Sequence, residues 1–217
     1  MTDGLLVQCL TVGPLQENCW LLTDAPSKTA VLVDPGEEAD RLLDAVAESG
    51  CVLREIWLTH AHFDHVGAVA AILRTTSVPV RLHALDLAMY RHAGAAARQF
   101  GLSIESPPDI TVPWAEGDVV SLGQAEFVIW HLPGHSPGHV ALVGAGLCLS
   151  GDVLFEGSIG RTDLPGCDPR AMQASLQRLV TLSAETRVLP GHGPATSIGR
   201  ERAANPFLRG LARPVGA

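Results

Sequence analysis

The sequence of 217 residues holds a single lysine, Lys28, and no apolar run near the roughly 20 residues that a membrane-spanning helix needs. The second absence excludes a helical membrane span. The first is a compositional bias toward arginine and carries no mechanistic content. Cations are scarce overall: 15 Lys and Arg stand against 23 Asp and Glu, for a formal net charge of −8. Such a surface repels nucleic-acid phosphates and offers no polybasic patch to an anionic membrane. Met1-Thr2-Asp3-Gly4 lacks the basic stretch of a secretory leader. No CxxC pair occurs, and the five cysteines (Cys9, Cys19, Cys51, Cys148, Cys167) are odd in number and scattered. A reduced, cytoplasmic protein with mostly buried thiols is expected.

What is present is an ordinary globular composition, 47% hydrophobic and 18% charged, in a length that suits one domain over residues 1–217. The chain opens with β-type runs at Leu5 to Thr11, Cys19 to Thr23 and Thr29 to Val33, the last ending in the turn signal Asp34-Pro35-Gly36. Ala39, Leu42, Leu43, Val46 and Ala47 recur at helical spacing before Gly50. Val52 to Leu58 reads as a buried strand, Val66 to Leu73 as helix, Val78 to Leu82 as strand, and Ala84 to Gln99 as an Ala-rich helix. Beyond the loop at Pro107 and Pro108 the chain is β-rich again, at Ala125 to Trp130, His139 to Val143 and Leu147 to Leu149. Asp168-Pro169 caps a late helix, and Arg187 to Leu189 is a final strand. Clustered strands with helices between them predict sheets covered by helices, though periodicity does not count the sheets.

The chemistry concentrates in Thr59-His60-Ala61-His62-Phe63-Asp64-His65, between an apolar strand and an apolar helix. Imidazole and carboxylate are the usual ligands of zinc and related divalent ions. In an extended loop, His60 and His62 point the same way and can share one metal. Asp64 and His65 lie past a turn and can face a second position. Further ligands are required, and the candidates are His135 in Pro133-Gly134-His135, Asp152 in Ser150-Gly151-Asp152, and His192 in Pro190-Gly191-His192-Gly193. Each follows a strand-like run in a turn rich in Gly or Pro, where glycine permits close backbone approach. Read singly, each is as easily a turn residue as a ligand.

His60-Ala61-His62-Phe63-Asp64-His65 resembles the HxHxDH motif of the metallo-β-lactamase superfamily, and His135, Asp152 and His192 match its later ligands in order. The resemblance runs from the Asp34 turn to His192. It implies an α+β fold, a four-layer αββα sandwich with the site along one edge. It also implies that His60, His62 and His135 bind one divalent ion, that Asp64, His65 and His192 bind another, and that Asp152 bridges the two. Asp34 is then expected to orient a ligand histidine through its ring N–H. Zinc is the expected metal, with iron or manganese as alternatives.

Pro14-Leu15-Gln16-Glu17-Asn18-Cys19, the loop from Gly157 to Gly166, and Asn205-Pro206-Phe207-Leu208-Arg209 resemble small glyoxalase II-like proteins of the hydroxyacylglutathione hydrolase group. That implies hydrolysis of a small-molecule thioester by a metal-bridged hydroxide, with Asp64 orienting it or taking its proton. Full-length glyoxalase II continues into a helical segment that helps hold glutathione, whereas only Gly193 to Ala217 follow His192 here. Glutathione recognition is left open, and Arg161, the only cation in the loop 157–166, is the expected substrate contact. Persulfide dioxygenases, which use one iron, resemble the same ligand letters. Leu164-Pro165-Gly166 looks more like the hydrolase side. A lactonase, a phosphodiesterase or a non-catalytic relative are the other readings. His139 is expected in the core or behind the site, His83 and His92 at the surface, and His131 at a strand end without special function. Cys167 is expected to be inert, and the tryptophans to be core or pocket walls.

Overall fold

Strands buried on both faces read as near-continuous apolar runs, and this sequence has several of them. In the computed structural model, which describes residues 4–110 and 112–216, they sort into two six-stranded sheets. The strands are β1 (Leu5–Val12), β2 (Glu17–Asp24), β3 (Thr29–Val33), β4 (Val52–Trp57), β5 (Val80–His83), β6 (Val112–Trp114), β7 (Val119–Leu122), β8 (Ala125–His131), β9 (Val140–Gly144), β10 (Leu147–Gly151), β11 (Leu154–Phe155), β12 (Ser158–Ile159), β13 (Arg187–Pro190) and β14 (Thr196–Ser197). The helices are α1 (Ala39–Glu48), α2 (Phe63–Val66), α3 (Val69–Thr75), α4 (Leu87–Arg91), α5 (Ala93–Gln99), α6 (Pro169–Leu179) and α7 (Ile198–Ala204). One sheet runs β1 to β6 in chain order, the other has the order β14-β13-β10-β9-β8-β7, and β11 and β12 pair as a separate two-stranded sheet.

Period-two alternation decides which layer each residue fills. In β2, Cys19 and Leu21 face α1, α3 and α5, while Trp20 and Leu22 face the second sheet. In β10, Leu147 and Leu149 face the first sheet and Cys148 packs with Met172, Leu176 and Leu179 of α6. Three apolar layers therefore separate four layers of secondary structure, α/β/β/α. The fold is the expected α+β sandwich.

The sheets differ in a way that matters for the site. β3, β4, β5 and β6 run parallel to one another, as do β10 and β13, and β8 is antiparallel to the strand that is itself antiparallel to β10. The segments that follow β3, β4, β8, β10 and β13 carry Asp34, His60 to His65, His135, Asp152 and His192. All five are C-terminal strand ends, and they meet along one edge.

Hydrogen bonds lock the two sheets at that edge. Asn18 Nδ2 donates to the carbonyls of Pro190 (3.2 Å) and Gly193 (2.7 Å), and Trp20 Nε1 donates to Pro190 O (3.0 Å). The Asn18 N–H also donates to Gly191 O at 2.7 Å. The Glu17-Asn18 stretch thus pins the turn that carries His192. Val140 N–H donates to Thr59 O (2.8 Å), which ties the histidine-rich loop to the second sheet. On the far side, Asp168 caps α6 by accepting from the N–H groups of Arg170 and Ala171 (2.8 and 3.0 Å). The Asp168 N–H donates to Gly134 O at 2.8 Å, so the helix start holds the turn bearing His135.

Sequence boundaries shift in places. The span 66–73 belongs to two helices, α2 and α3, separated at Gly67 and Ala68. The span 84–99 is a 3-10 turn followed by α4 and α5, which part at His92. β6, β7, β11, β12 and β14 are two to four residues long, too short to announce a period, and β6 contains Pro113. Met1 to Asp3, read above for a leader, lie outside the described residues.

Candidate metal centre

Three imidazole nitrogens converge at one position. His62 Nδ1 lies 3.1 Å from His60 Nε2 and 2.8 Å from His135 Nε2. The partners on the other ring nitrogens fix which protons are present. His135 Nδ1 donates to Arg161 O (2.9 Å), a carbonyl that can only accept, so the Nε2 of the neutral ring is a bare acceptor. Thr59 Oγ1 donates to Asp34 Oδ2 (2.6 Å) and so accepts from His60 Nδ1 at 3.1 Å, leaving His60 Nε2 bare as well. One proton on His62 Nδ1 cannot serve both acceptors. A divalent cation among the three can, and ligand nitrogens of a tetrahedral ion stand about 3.3 Å apart.

The second position is richer in carboxylate. Asp64 Oδ2 stands 3.3 Å from His192 Nε2 and 3.9 Å from His65 Nε2. Asp152 lies between the two clusters: Oδ1 is 3.4 Å from His65 Nε2, and Oδ2 is 3.4 Å from His135 Nε2 and 3.6 Å from His192 Nε2. His65 Nε2 and Asp152 Oδ1 are buried with no hydrogen-bond partner. Leaving such groups unpaired is costly, and metal coordination satisfies both. The residues fit a pair of divalent ions, with the atoms of each group of three within 4.8 Å of one another.

Electrostatics separates the positions. Burial, and then the neighbouring His135, push His62 down to about 3, and burial with neighbouring histidines holds His60 well below the ordinary value. His60 and His62 are thus held neutral, the form in which an imidazole binds metal. Burial opposes a charged His65, yet Asp152 and Asp64 hold it well above its ordinary value. Burial would raise Asp152 and Asp64, but the facing histidines keep both carboxyls below the usual range. At the second position Asp64 and Asp152 are therefore anionic and hold a positive charge on the facing His65, the same field that would favour a bound cation.

Beneath the ligands lies a layer of buried acceptors. Asp34 takes a left-handed backbone (φ +52°), which Asp tolerates better than most residues. Its Oδ1 accepts from Thr59 N (2.7 Å), and its Oδ2 accepts from Thr59 Oγ1 and from His65 Nδ1 (3.1 Å). One carboxylate therefore aims His65 directly and His60 through Thr59. Asp86 does the same between loops, accepting from Ala61 N (3.2 Å), Ser136 Oγ (2.7 Å) and Gly138 N (2.6 Å). His139 is buried, stacks on His60 with ring centroids 4.9 Å apart, and accepts from Asp152 N at Nε2 (3.0 Å). Gly191 leaves room for all this, since a Cβ there would lie 2.3 Å from Asp152 Oδ1 and 2.6 Å from His65 Cε1.

Asp86 and the buried Glu17 are the groups that sequence reading missed. Asp86 sits in an Ala-rich helical stretch with nothing nearby to mark it. Both Glu17 carboxylate oxygens are buried without a hydrogen-bond partner, and Oε1 lies 3.7 Å from His65 Nδ1. Arg161 lines the cleft above the cluster, and its Nε and Nη2 donate to Asp163 Oδ1 and Oδ2 at 2.7 and 2.9 Å, which engages one side of the guanidinium. Cys167 is half-buried, its Sγ donates to His135 O (3.0 Å), and burial pushes its thiol up. His92 is exposed, whereas His83 stacks on His131 with centroids 4.3 Å apart, a contact between strand ends far apart in sequence. The tryptophans divide: Trp20, Trp57 and Trp114 fill the layer between the sheets, and Trp130 lies under the Arg178 guanidinium on the other face.

The sequence pattern of the metallo-β-lactamase superfamily matches residues 12–192. The chain belongs to that superfamily. Its members are generally hydrolytic metalloenzymes, and the histidine and aspartate cluster is where this metallo-β-lactamase relative would bind metal. Over 210 residues it is 36% identical to the hydroxyacylglutathione hydrolase GloC of Haemophilus influenzae, covering 93% of this chain and 97% of that one. The crystal structure of TTHA1623 in a di-iron-bound form is similar at a TM-score of 0.87 and 50% identity, covering 93% of this chain and 100% of the other. BLEG-1, described as a B3 metallo-β-lactamase, is similar at 0.85 and 37% identity, covering 94% and 99%. Among the described residues, no helix is long and apolar enough to cross a membrane.

Proposed function

We propose that this chain hydrolyses a small-molecule thioester, with two divalent ions held by His60, His62 and His135, by Asp64, His65 and His192, and by Asp152 between them. Zinc is the first choice, and the di-iron form of the similar TTHA1623 makes iron the leading alternative. When bound, the ions acidify the attacking water and polarise the scissile carbonyl. Everything else falls to the protein. His60 and His65 are aimed by Asp34 and Thr59, and His135 is aimed by Arg161 O. Asp64, ionised at neutral pH, orients the water and accepts its proton as the O–C bond forms. The C–S bond then breaks, its electron pair leaves with sulfur, and the thiolate takes up the proton that Asp64 accepted, giving a thiol and a carboxylic acid.

One observation supports a substrate with a good leaving group. Among the residues lining the cleft, the side chains that could protonate a leaving group are the same histidines and aspartates that would hold the ions. Free thiols ionise near pH 8.5, so a thiolate departs with little help, whereas an amine needs a proton. The name of the Haemophilus influenzae relative points the same way.

The test is a panel of thioesters, lactones, phosphodiesters and β-lactams on protein of known metal content, with oxygen uptake measured on glutathione persulfide. Thioester turnover should dominate and fall by about 10²-fold or more in Asp64→Ala. Oxygen consumption, or stronger turnover on another class, would overturn the reading.

A further inference from the structure

The cluster forms the floor of an open cleft of about 600 Å³. Its walls are mostly apolar, with Gln99, Ser158 and Arg161 as the polar lining outside the ligand cluster. Phe63, Met89 and Phe100 form one side, with the Phe63 and Phe100 rings 5.3 Å apart. Phe155, Ile159 and Leu164 form the other. Phe100 is 55% exposed and Leu15, also on the cleft, is 42% exposed. Apolar side chains held open above a polar floor are what a ligand with an apolar body would cover.

The charge inventory agrees. Glutathione presents two carboxylates, and a site that reads carboxylates uses free arginine or lysine. Among the described residues lining the cleft, Arg161 is the one Lys or Arg, and its Nε and Nη2 already donate to Asp163, which leaves only the Nη1 end of the guanidinium for another acceptor. The Asp163 carboxylate therefore stands beside the one arginine of the cleft, and an incoming carboxylate would meet a cation that already has an anionic neighbour.

We propose that the cleft selects thioesters carrying an uncharged, apolar group of about phenyl size beside the scissile carbonyl, in preference to glutathione thioesters. This rests on the thioester reading above and names the substrate class for it. The apolar group occupies the space between Phe100 and Phe155 while the carbonyl meets the metal floor.

The experiment has a turnover arm and a binding arm, both on metal-loaded protein. Turnover compares S-benzyl thioacetate and S-methyl phenylthioacetate, apolar on the thiol and acyl side respectively, with S-acetylglutathione. At least one aromatic substrate should show kcat/KM about tenfold or more above S-acetylglutathione, and the better of the two identifies the side that sits in the cleft. Phe100→Ser should shrink that preference about fivefold, mainly through KM. Binding uses 4-phenyl-2-butanone, in which CH2 replaces the sulfur of S-benzyl thioacetate and nothing can be hydrolysed. By calorimetry it should bind more tightly than S-methylglutathione and lose about fivefold in affinity in Phe100→Ser or Phe155→Ser. If the ketone behaves this way and no thioester is cleaved, the apolar cleft stands and the reaction assignment falls. Tighter binding of S-methylglutathione, ketone binding indifferent to both substitutions, or preferred turnover of S-acetylglutathione overturns the proposal.

Discussion

Asp34 Oδ2 accepts from His65 Nδ1 at 3.1 Å and from Thr59 Oγ1 at 2.6 Å, so one buried carboxylate aims a histidine in each of the two metal positions. Asp34→Asn isolates this effect, because Asn also tolerates the left-handed backbone at this position. Metal affinity measured by competition with a chromogenic chelator should fall about 10–100-fold, with the fold retained by circular dichroism. Affinity equal to that of the parent would mean that the ligands are aimed by packing alone.

Asp86 makes a second, separable prediction. Its carboxylate joins the loop of His60 and His62 to the loop of His135 through Ala61, Ser136 and Gly138. Asn in its place presents an amide NH2 toward groups that are themselves donors. Asp86→Asn should cost about 2–3 kcal/mol in chemical denaturation. It should also release the ion at His60, His62 and His135 first, so that mild chelation leaves about one metal per chain. Loss of both ions in step would contradict this division.

The stacked pair His83 and His131 bears on pH. Burial, and then the neighbouring His131, hold His83 below its ordinary value. The unfolded chain therefore takes up this proton first, near pH 6.5. The corresponding stability is present above that pH and is lost as pH falls toward the lower folded-state value. With metal saturating, His83→Gln should lose less stability than the parent between pH 6.5 and 5. Parallel melting curves for the two proteins across that range would show that the stack is not a source of pH sensitivity.

Much of this was legible in the sequence because the chemistry is local. His60, His62, Asp64 and His65 fall within six residues, and the strand runs that deliver them read as apolar blocks. β3 carries the expected bounds, and Asp168-Pro169 starts α6 where a cap followed by proline should. The groups that do not declare themselves act across long sequence separations. Asp86 looks like one polar residue in a helical stretch until Ser136 and Gly138, about 50 residues later, turn toward it. Asn18 has no evident task until the turn at Gly191 and Gly193 meets it. Arg161 shows the converse: Asp163, two residues on, is visible in the sequence, but only the fold shows that it accepts from Nε and Nη2 of the arginine.

The central claim, a two-ion centre that cleaves thioesters, is tested most directly by adding metal back to stripped protein while following thioester turnover. Zinc and iron would be titrated separately, in substoichiometric steps, with S-benzyl thioacetate and S-acetylglutathione as substrates. The kcat should climb until two equivalents per chain are bound and then stay level. Full activity at one equivalent, or no thioester cleavage at two with either metal, would contradict it.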